Sequence, residues 1–189
     1  MSAPAIRPAN VNDAAFLLPL VDAAGEGIPA YVWSTMAAPG QDPREIGMAR
    51  IGGNSAAVSW RNAWVAELDA VPAGCLFTYA QPERPEPVPA DLPPIFVPLQ
   101  ELENEAPATG YVYILATHPD MQGRGVGRAL LRFAERWRGP RGMSLIVADN
   151  NLPAIGLYQS EGYQVAAQRR IVTNGWRTKG QNWLLMLKP

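Results

Sequence analysis

The chain has 189 residues, 48% of them apolar, with 16 basic and 17 acidic side chains and a formal net charge of −1. This length fits one domain with a substantial core, and the near-neutral balance argues against nucleic acid or an anionic membrane as a general partner. A single cysteine, Cys75, and a single histidine, His118, exclude an internal disulfide and a zinc site built on them. The first residues lack an apolar signal core and no stretch is long enough to span a bilayer, so the expected location is the cytoplasm.

In chain order, Ala5-Ile6-Arg7 reads as a first strand. Asn12 or Asp13 is placed to cap a helix with Ala15, Phe16, Leu18 and Val21 on its apolar side, ended by Gly25-Glu26-Gly27. Tyr31, Val32, Trp33 and Met36 recur at helical spacing over 28–38. Asp42-Pro43 opens another helix with proline in its first turn, running through Ile46, Ala49 and Arg50 towards Trp60, with Gly52-Gly53 as an interruption. Residues 63–68 and 74–79 read as strands joined by a tight turn at 69–72. Cys75 lies in the second of these apolar runs, where a buried thiol is the expected state.

Residues 81–108 differ in composition. Prolines stand at 82, 85, 87, 89, 93, 94, 98 and 107, and acidic residues outnumber the single Arg84. Proline at this density forbids a long helix or an inner strand, so the segment reads as a surface loop, with room for a short helix near 98–105. From Tyr111 onwards the pattern is regular. The strand 111–116 is followed by a glycine-rich turn, a helix with Val126, Leu130, Ala134 and Trp137 on one face, a stop at Gly139-Pro140, the strand 143–148, a helix over 153–160, and strands at 164–172 and 182–188. Asn174-Gly175 is a turn signal between the last two.

The turn Gln122-Gly123-Arg124-Gly125-Val126-Gly127 carries chemistry. Alternate glycines let backbone N–H groups approach a ligand with no Cβ in the way, and the start of a helix adds unpaired donors and the positive end of its dipole. Two common phosphate loops do not fit. The dinucleotide fingerprint needs a third glycine where Arg128 or Leu130 stands, and the P-loop needs a lysine that is absent. What remains, Gln122-x-x-Gly125-x-Gly127, resembles the acyl-CoA loop of the GNAT acetyltransferase family. Asn151-x-x-Ala154-x-x-Leu157-Tyr158-x-x-x-Gly162-Tyr163 resembles the second signature of that family, in the expected order and at the expected separation.

The resemblance implies an α/β fold, a GNAT-type α/β/α sandwich whose mixed central sheet is splayed between strands 4 and 5, formed by one N-acetyltransferase domain over residues 4–189 with the proline-rich acidic loop 81–108 inserted. It implies acetyl-CoA as co-substrate, no metal, and transfer of acetyl to a primary amine by direct attack in a ternary complex, since no cysteine or serine is positioned as a covalent carrier. Backbone groups of Leu115, Ala116 and Thr117 would pair with the pantetheine arm. The amides of Gln122, Gly123, Arg124, Gly125, Val126, Gly127 and Arg128 would face the pyrophosphate, with Arg124 and Arg128 adding charge. Arg132, Arg136 and Arg138 read as a solvated helix face. Asn151 would bond the pantetheine arm or cap its helix. Tyr158 matches the tyrosine that protonates the leaving thiolate.

The general base stays open. Many members carry a glutamate on the fourth strand where this chain has Ile114, with Tyr113 beside it as a residue to bond substrate or a relay water. Glu67, Glu101, Glu103 and Glu105 are further candidates, and an ordered water chain is the other route. His118 sits in a His-Pro-Asp turn and reads as structural. Acceptor specificity is expected from 26–38, from 81–108, whose excess acid suits a cationic amine, and from the turn at Gly175, with Tyr31, Trp33 and Trp176 as aromatic candidates. The expected acceptor is a small-molecule or peptide amine, with no nucleic acid or membrane, and an exposed final hairpin leaves a homodimer open. A non-catalytic acyl-CoA sensor is the alternative, because the strand glutamate is missing.

Overall fold

The computed structural model describes residues 3–189. Seven strands form one mixed sheet in the order β1-β2-β3-β4-β5-β7-β6: β1 (Ala5–Pro8), β2 (Ala63–Leu68), β3 (Val71–Ala80), β4 (Gly110–Thr117), β5 (Met143–Ala148), β6 (Gln164–Arg170) and β7 (Asn182–Lys188). Among the described residues six α-helices accompany it: α1 (Ala14–Ala24), α2 (Ile28–Met36), α3 (Pro43–Gly52), α4 (Val97–Asn104), α5 (Val126–Ala134) and α6 (Leu152–Ser160). β4 and β5 are parallel, while β1–β2, β2–β3, β5–β7 and β6–β7 are antiparallel. The β4–β5 ladder runs only from Gly110↔Met143 to Val112↔Leu145. The sheet therefore splays between strands 4 and 5.

The chain divides into two compact units. The first runs to Phe77 and takes in Ile114–Phe133. Its core gathers Leu17, Leu18 and Val21 of α1, Trp33 of α2, Ile51 of α3, Val65 of β2, Cys75 and Phe77 of β3, and Ile114 of β4. Successive strand residues point to opposite faces, so Trp64 and Gly74 look away from this core. They meet α5: Trp64 packs on Phe133 with ring centroids 4.8 Å apart, and a Cβ on Gly74 would stand 2.8 Å from Val126. Helices thus cover both faces of these strands, which makes the sandwich. The second unit comprises Thr78–Tyr113 and Ala134–Pro189, in which α4 lies against β5, β6 and β7.

Several sequence expectations need correction. Neither Asn12 nor Asp13 caps α1 with its side chain. Asn10 caps a single 3-10 turn over Val11–Asp13, and the buried Asp13 carboxylate accepts the Asn10 N–H (2.7 Å) and both Arg7 Nη atoms (2.8 and 2.9 Å). On α1 Ala15 is exposed, whereas Leu17 and Leu20 are buried; the inward stripe is Ala14, Leu17, Leu18 and Val21, at i, i+3, i+4 and i+7. β3 begins at Val71, and the turn is only Asp69-Ala70, both left-handed (φ 51° and 63°). Such a turn matches the twist of a hairpin, although neither residue is glycine. Asn174-Gly175 makes the expected turn, both residues left-handed (φ 34° and 95°) and the Trp176 N–H donating to Thr173 O (2.7 Å), but β6 ends at Arg170 rather than at 172, so residues 171–181 form a longer connection to β7. The short helix expected near 98–105 is α4. No single helix among the described residues is long and apolar enough to cross a membrane.

Candidate active site

The glycine loop belongs to the first unit, and its entry is fixed before the first glycine. The His118 N–H donates to Ala73 O (2.8 Å), its Nδ1 accepts the Asp120 N–H (3.3 Å), and its ring stacks on Phe16 at 6.3 Å. These are structural duties. The Gln122 N–H is engaged with Pro119 O (3.3 Å), and its side chain is exposed. Gly123 (φ +72°) and Gly125 (φ +81°) are left-handed, and a Cβ at either would meet nothing within 4 Å. The loop is open on this side, and only glycine adopts its backbone without strain. Ala129 N–H donates to Gly125 O (3.0 Å), which closes the first turn of α5. The N–H groups ahead of it have no intrahelical carbonyl to bond, and they lie at the positive end of the dipole. The arrangement suits a phosphate. Arg124 lies 4.0 Å from Asp69, and both Arg124 and Arg128 are exposed.

Leu115, Ala116 and Thr117 follow on β4, each half-buried. Ile114, standing where a glutamate was sought, is 6% exposed and is part of the core. Cys75 is fully buried, and desolvation pushes its thiol up to about 12, so it supplies no thiolate nucleophile.

Asn151, Tyr158 and Tyr113 belong to the second unit. Asn151 Oδ1 accepts the Ala154 N–H (3.4 Å) and caps α6. Tyr158 is buried on that helix, its ring 6.1 Å from Tyr163. Burial pushes its phenol up to about 12, so it stays protonated at neutral pH. Tyr163 OH is buried without a hydrogen-bond partner, and Lys188 Nζ lies 5.9 Å from the centre of its ring. Tyr113 is 37% exposed and joins Tyr79 (5.7 Å) and Tyr111 (6.2 Å) in a cluster of rings.

The candidate carboxylates separate by their partners. Glu67 bonds Arg7 (2.7 Å). Glu101 on α4 and Glu105 at its C-terminal cap, four residues apart, both pair with Arg169 of β6. Glu103 is roughly 200° around the helix from them. It receives hydrogen bonds from Gln81 Nε2 (3.4 Å) and from the Tyr111 hydroxyl, and desolvation raises its carboxyl above the ordinary 4.5. Sequence reading named Glu103 only as one acid among four and missed Tyr79, Tyr111 and Gln81. The i, i+4 spacing of Glu101 and Glu105 was the available signal that Glu103 faces elsewhere. Trp33 and Trp176, expected as pocket walls, are packing residues: Trp33 lies in the core of the first unit, and Trp176 is buried in a stack with Trp183 (6.0 Å, 2°).

A family model described as an acetyltransferase (GNAT) domain matches residues 59–165, more than half of the chain and both signature segments. The chain belongs to the GNAT acetyltransferase family. It is similar to a mycothiol acetyltransferase from Geodermatophilus obscurus, 38% identical over 78 residues, which is 39% of this chain. The match spans only 24% of that relative's length. Among solved structures, an N-acetyltransferase from Staphylococcus aureus Mu50 superposes with a TM-score of 0.63 at 17% identity, over 97% of this chain and 99% of that one. Diaminobutyrate acetyltransferase EctA from Paenibacillus lautus, in complex with L-2,4-diaminobutyric acid and coenzyme A, gives 0.58 at 13% identity over 100% and 96%. At such identities the structural likeness is one of fold.

Proposed function

We propose that this chain is an acetyl-CoA-dependent N-acetyltransferase that transfers acetyl to a primary amine by direct attack in a ternary complex, with residues 4–189 acting as one catalytic domain. The observation that carries this reading is the loop 122–127, which lies inside the family match and whose left-handed glycines leave an open cradle at a helix start. A coenzyme A relative of the same fold supports the donor. When bound, the donor supplies a thioester carbonyl.

The chain's own groups divide the work. Amides from Gly123 to Arg128 hold the pyrophosphate, with Arg124 and Arg128 adding charge; Gln122 orders the loop, its own N–H being engaged with Pro119. Main-chain groups of Leu115, Ala116 and Thr117, beyond the point where the β4–β5 ladder ends, bond the pantetheine amides. Asn151 fixes the start of α6 and so the position of Tyr158. An alkyl ammonium, with a pKa of about 10, must lose a proton before its nitrogen bonds to the acetyl carbon. The C–S bond then breaks, and Tyr158 donates its proton to the departing sulfur, a role suited to a buried neutral phenol. Tyr113 bonds the acceptor or a water that relays its proton.

The test is thiol release from acetyl-CoA across a panel of small-molecule and peptide amines. Release with an amine is the expected result and names the acceptor class. No release with any of them, while acetyl-CoA still raises the melting temperature, refutes catalysis.

A further inference from the structure

Within the second unit, α4 and residues 79–86 enclose a cavity of about 290 Å³. Glu103, Tyr79, Gln81 and Glu86 line it. Asn104 keeps it in shape: its Oδ1 accepts the Glu86 N–H (3.0 Å) and its Nδ2 donates to Glu86 O (2.8 Å), which ties the proline-rich loop to the helix. The Tyr79 ring packs edge-on to Tyr111 at 5.4 Å, and Tyr111 in turn donates to Glu103. One half-buried carboxylate thus lies beside a group of tyrosine rings and opens into a space fit for a few heavy atoms.

Among the described residues, no lysine or arginine lies within ion-pair distance of Glu103, although Glu67, Glu101 and Glu105 each have an arginine. Arg84 lines the same cavity without pairing to it. A carboxylate taken out of water needs a positive partner or hydrogen bonds to offset the desolvation. Two neutral donors supply part of this, and the nearby Glu86 opposes it.

We propose that this cavity takes a primary alkylammonium, with its nitrogen held by the Glu103 carboxylate against the ring of Tyr79 and its carbon chain along Pro82, Pro85 and Pro107. The proposal rests on the acetyl-transfer reading for its choice of an amine, and it names the residue that selects the cation. An ammonium offers three donors, and Glu103 and Gln81 present acceptors. A cation over a tyrosine face gains further attraction. Desolvation raises the Glu103 carboxyl, and an ammonium beside it would lower it again.

Isothermal titration of n-butylamine into the full chain, with and without saturating coenzyme A, tests this, with n-butanol as the uncharged isostere. Saturable binding of the amine and none of the alcohol is expected. Glu103→Gln should weaken the amine about tenfold, the scale of one charge-assisted hydrogen bond, and Tyr79→Leu should weaken it too. Both variants are melted alongside to show that they fold. Absence of saturable binding, equal binding of amine and alcohol, or unchanged affinity in folded Glu103→Gln overturns the proposal. Amine binding that depends on Glu103 without thiol release from acetyl-CoA leaves the cation site standing and removes the transfer reading instead.

Discussion

Gly74 is the position at which one added methyl group should disturb both stability and donor binding. It faces α5 from β3, and a Cβ built there would lie 2.7 Å from Ala116 O, 2.8 Å from Val126 Cγ1 and 3.2 Å from Leu130 Cδ1. The first contact is with backbone, so no rotamer change relieves it; β4 or the start of α5 must shift. Overpacking of this kind costs about 1–3 kcal/mol, of which about 0.5–1 kcal/mol is returned because alanine has less freedom than glycine to lose on folding. A backbone clash at 2.7 Å belongs in the upper part of that range, about 2–3 kcal/mol, so the net is a destabilisation of about 1–2.5 kcal/mol. Unfolding entropy near 2.1 cal/mol/K per residue turns this into a fall of roughly 3–6 °C in melting temperature for a chain of 189 residues. The atoms displaced are those expected to hold the donor: the Ala116 carbonyl and the helix start behind Gly125. Gly74→Ala should therefore also shrink the rise in melting temperature that acetyl-CoA produces. Thermal denaturation with and without acetyl-CoA measures both effects. A variant that melts like the wild type and keeps the full acetyl-CoA shift would refute the reasoning.

Two further outcomes follow from other groups. Tyr158→Phe should lower kcat about a hundredfold, the range of a general acid, while coenzyme A affinity stays unchanged; steady-state kinetics and a binding isotherm separate the two, and unaltered turnover would remove Tyr158 from the chemistry. Asp13, held below its ordinary 3.8 mainly by Arg7, stabilises the fold fully above that pH, and its contribution is lost as pH falls through the lower folded-state value. Asp13→Asn should lower the urea midpoint at pH 7 by more than at about pH 3, and an equal loss at both would show that the ion pair contributes nothing.

The parts legible in the sequence were those fixed by local pattern. The loop 122–127 and the segment 151–163 use fixed residue types because a left-handed backbone, a cap and a phenol each demand one. β5 and β7 were legible from their apolar runs. Longer-range arrangement was not. That Gly74 is small to admit Ala116 and Val126 depends on residues more than 40 positions away, and nothing in residues 69–72 announced a left-handed Asp69-Ala70 turn without glycine. Glu103 was indistinguishable in composition from Glu101 and Glu105. Only the fold shows that Arg169 takes two of them and leaves the third beside Tyr111. The insertion of β7 between β5 and β6 has no local signature either, since chain order would have paired β5 with β6.

The Arg169 clamp bears on the order in which the molecule is made. Arg169 lies 68 residues after Glu101 and reaches α4 from β6. Synthesis runs from the N-terminus and early segments fold as they emerge. A nascent chain can form the glycine loop, with Phe16, Asp69 and Ala73 already present to support it, while α4 still lacks its cation. Asn104 and Glu103 can tie the helix to residues 81–86 early, but its packing on β5, β6 and β7 and the Arg169 clamp form when those strands arrive. Ribosome-stalled chains of increasing length should therefore gain protease resistance at the glycine loop before they gain it at α4.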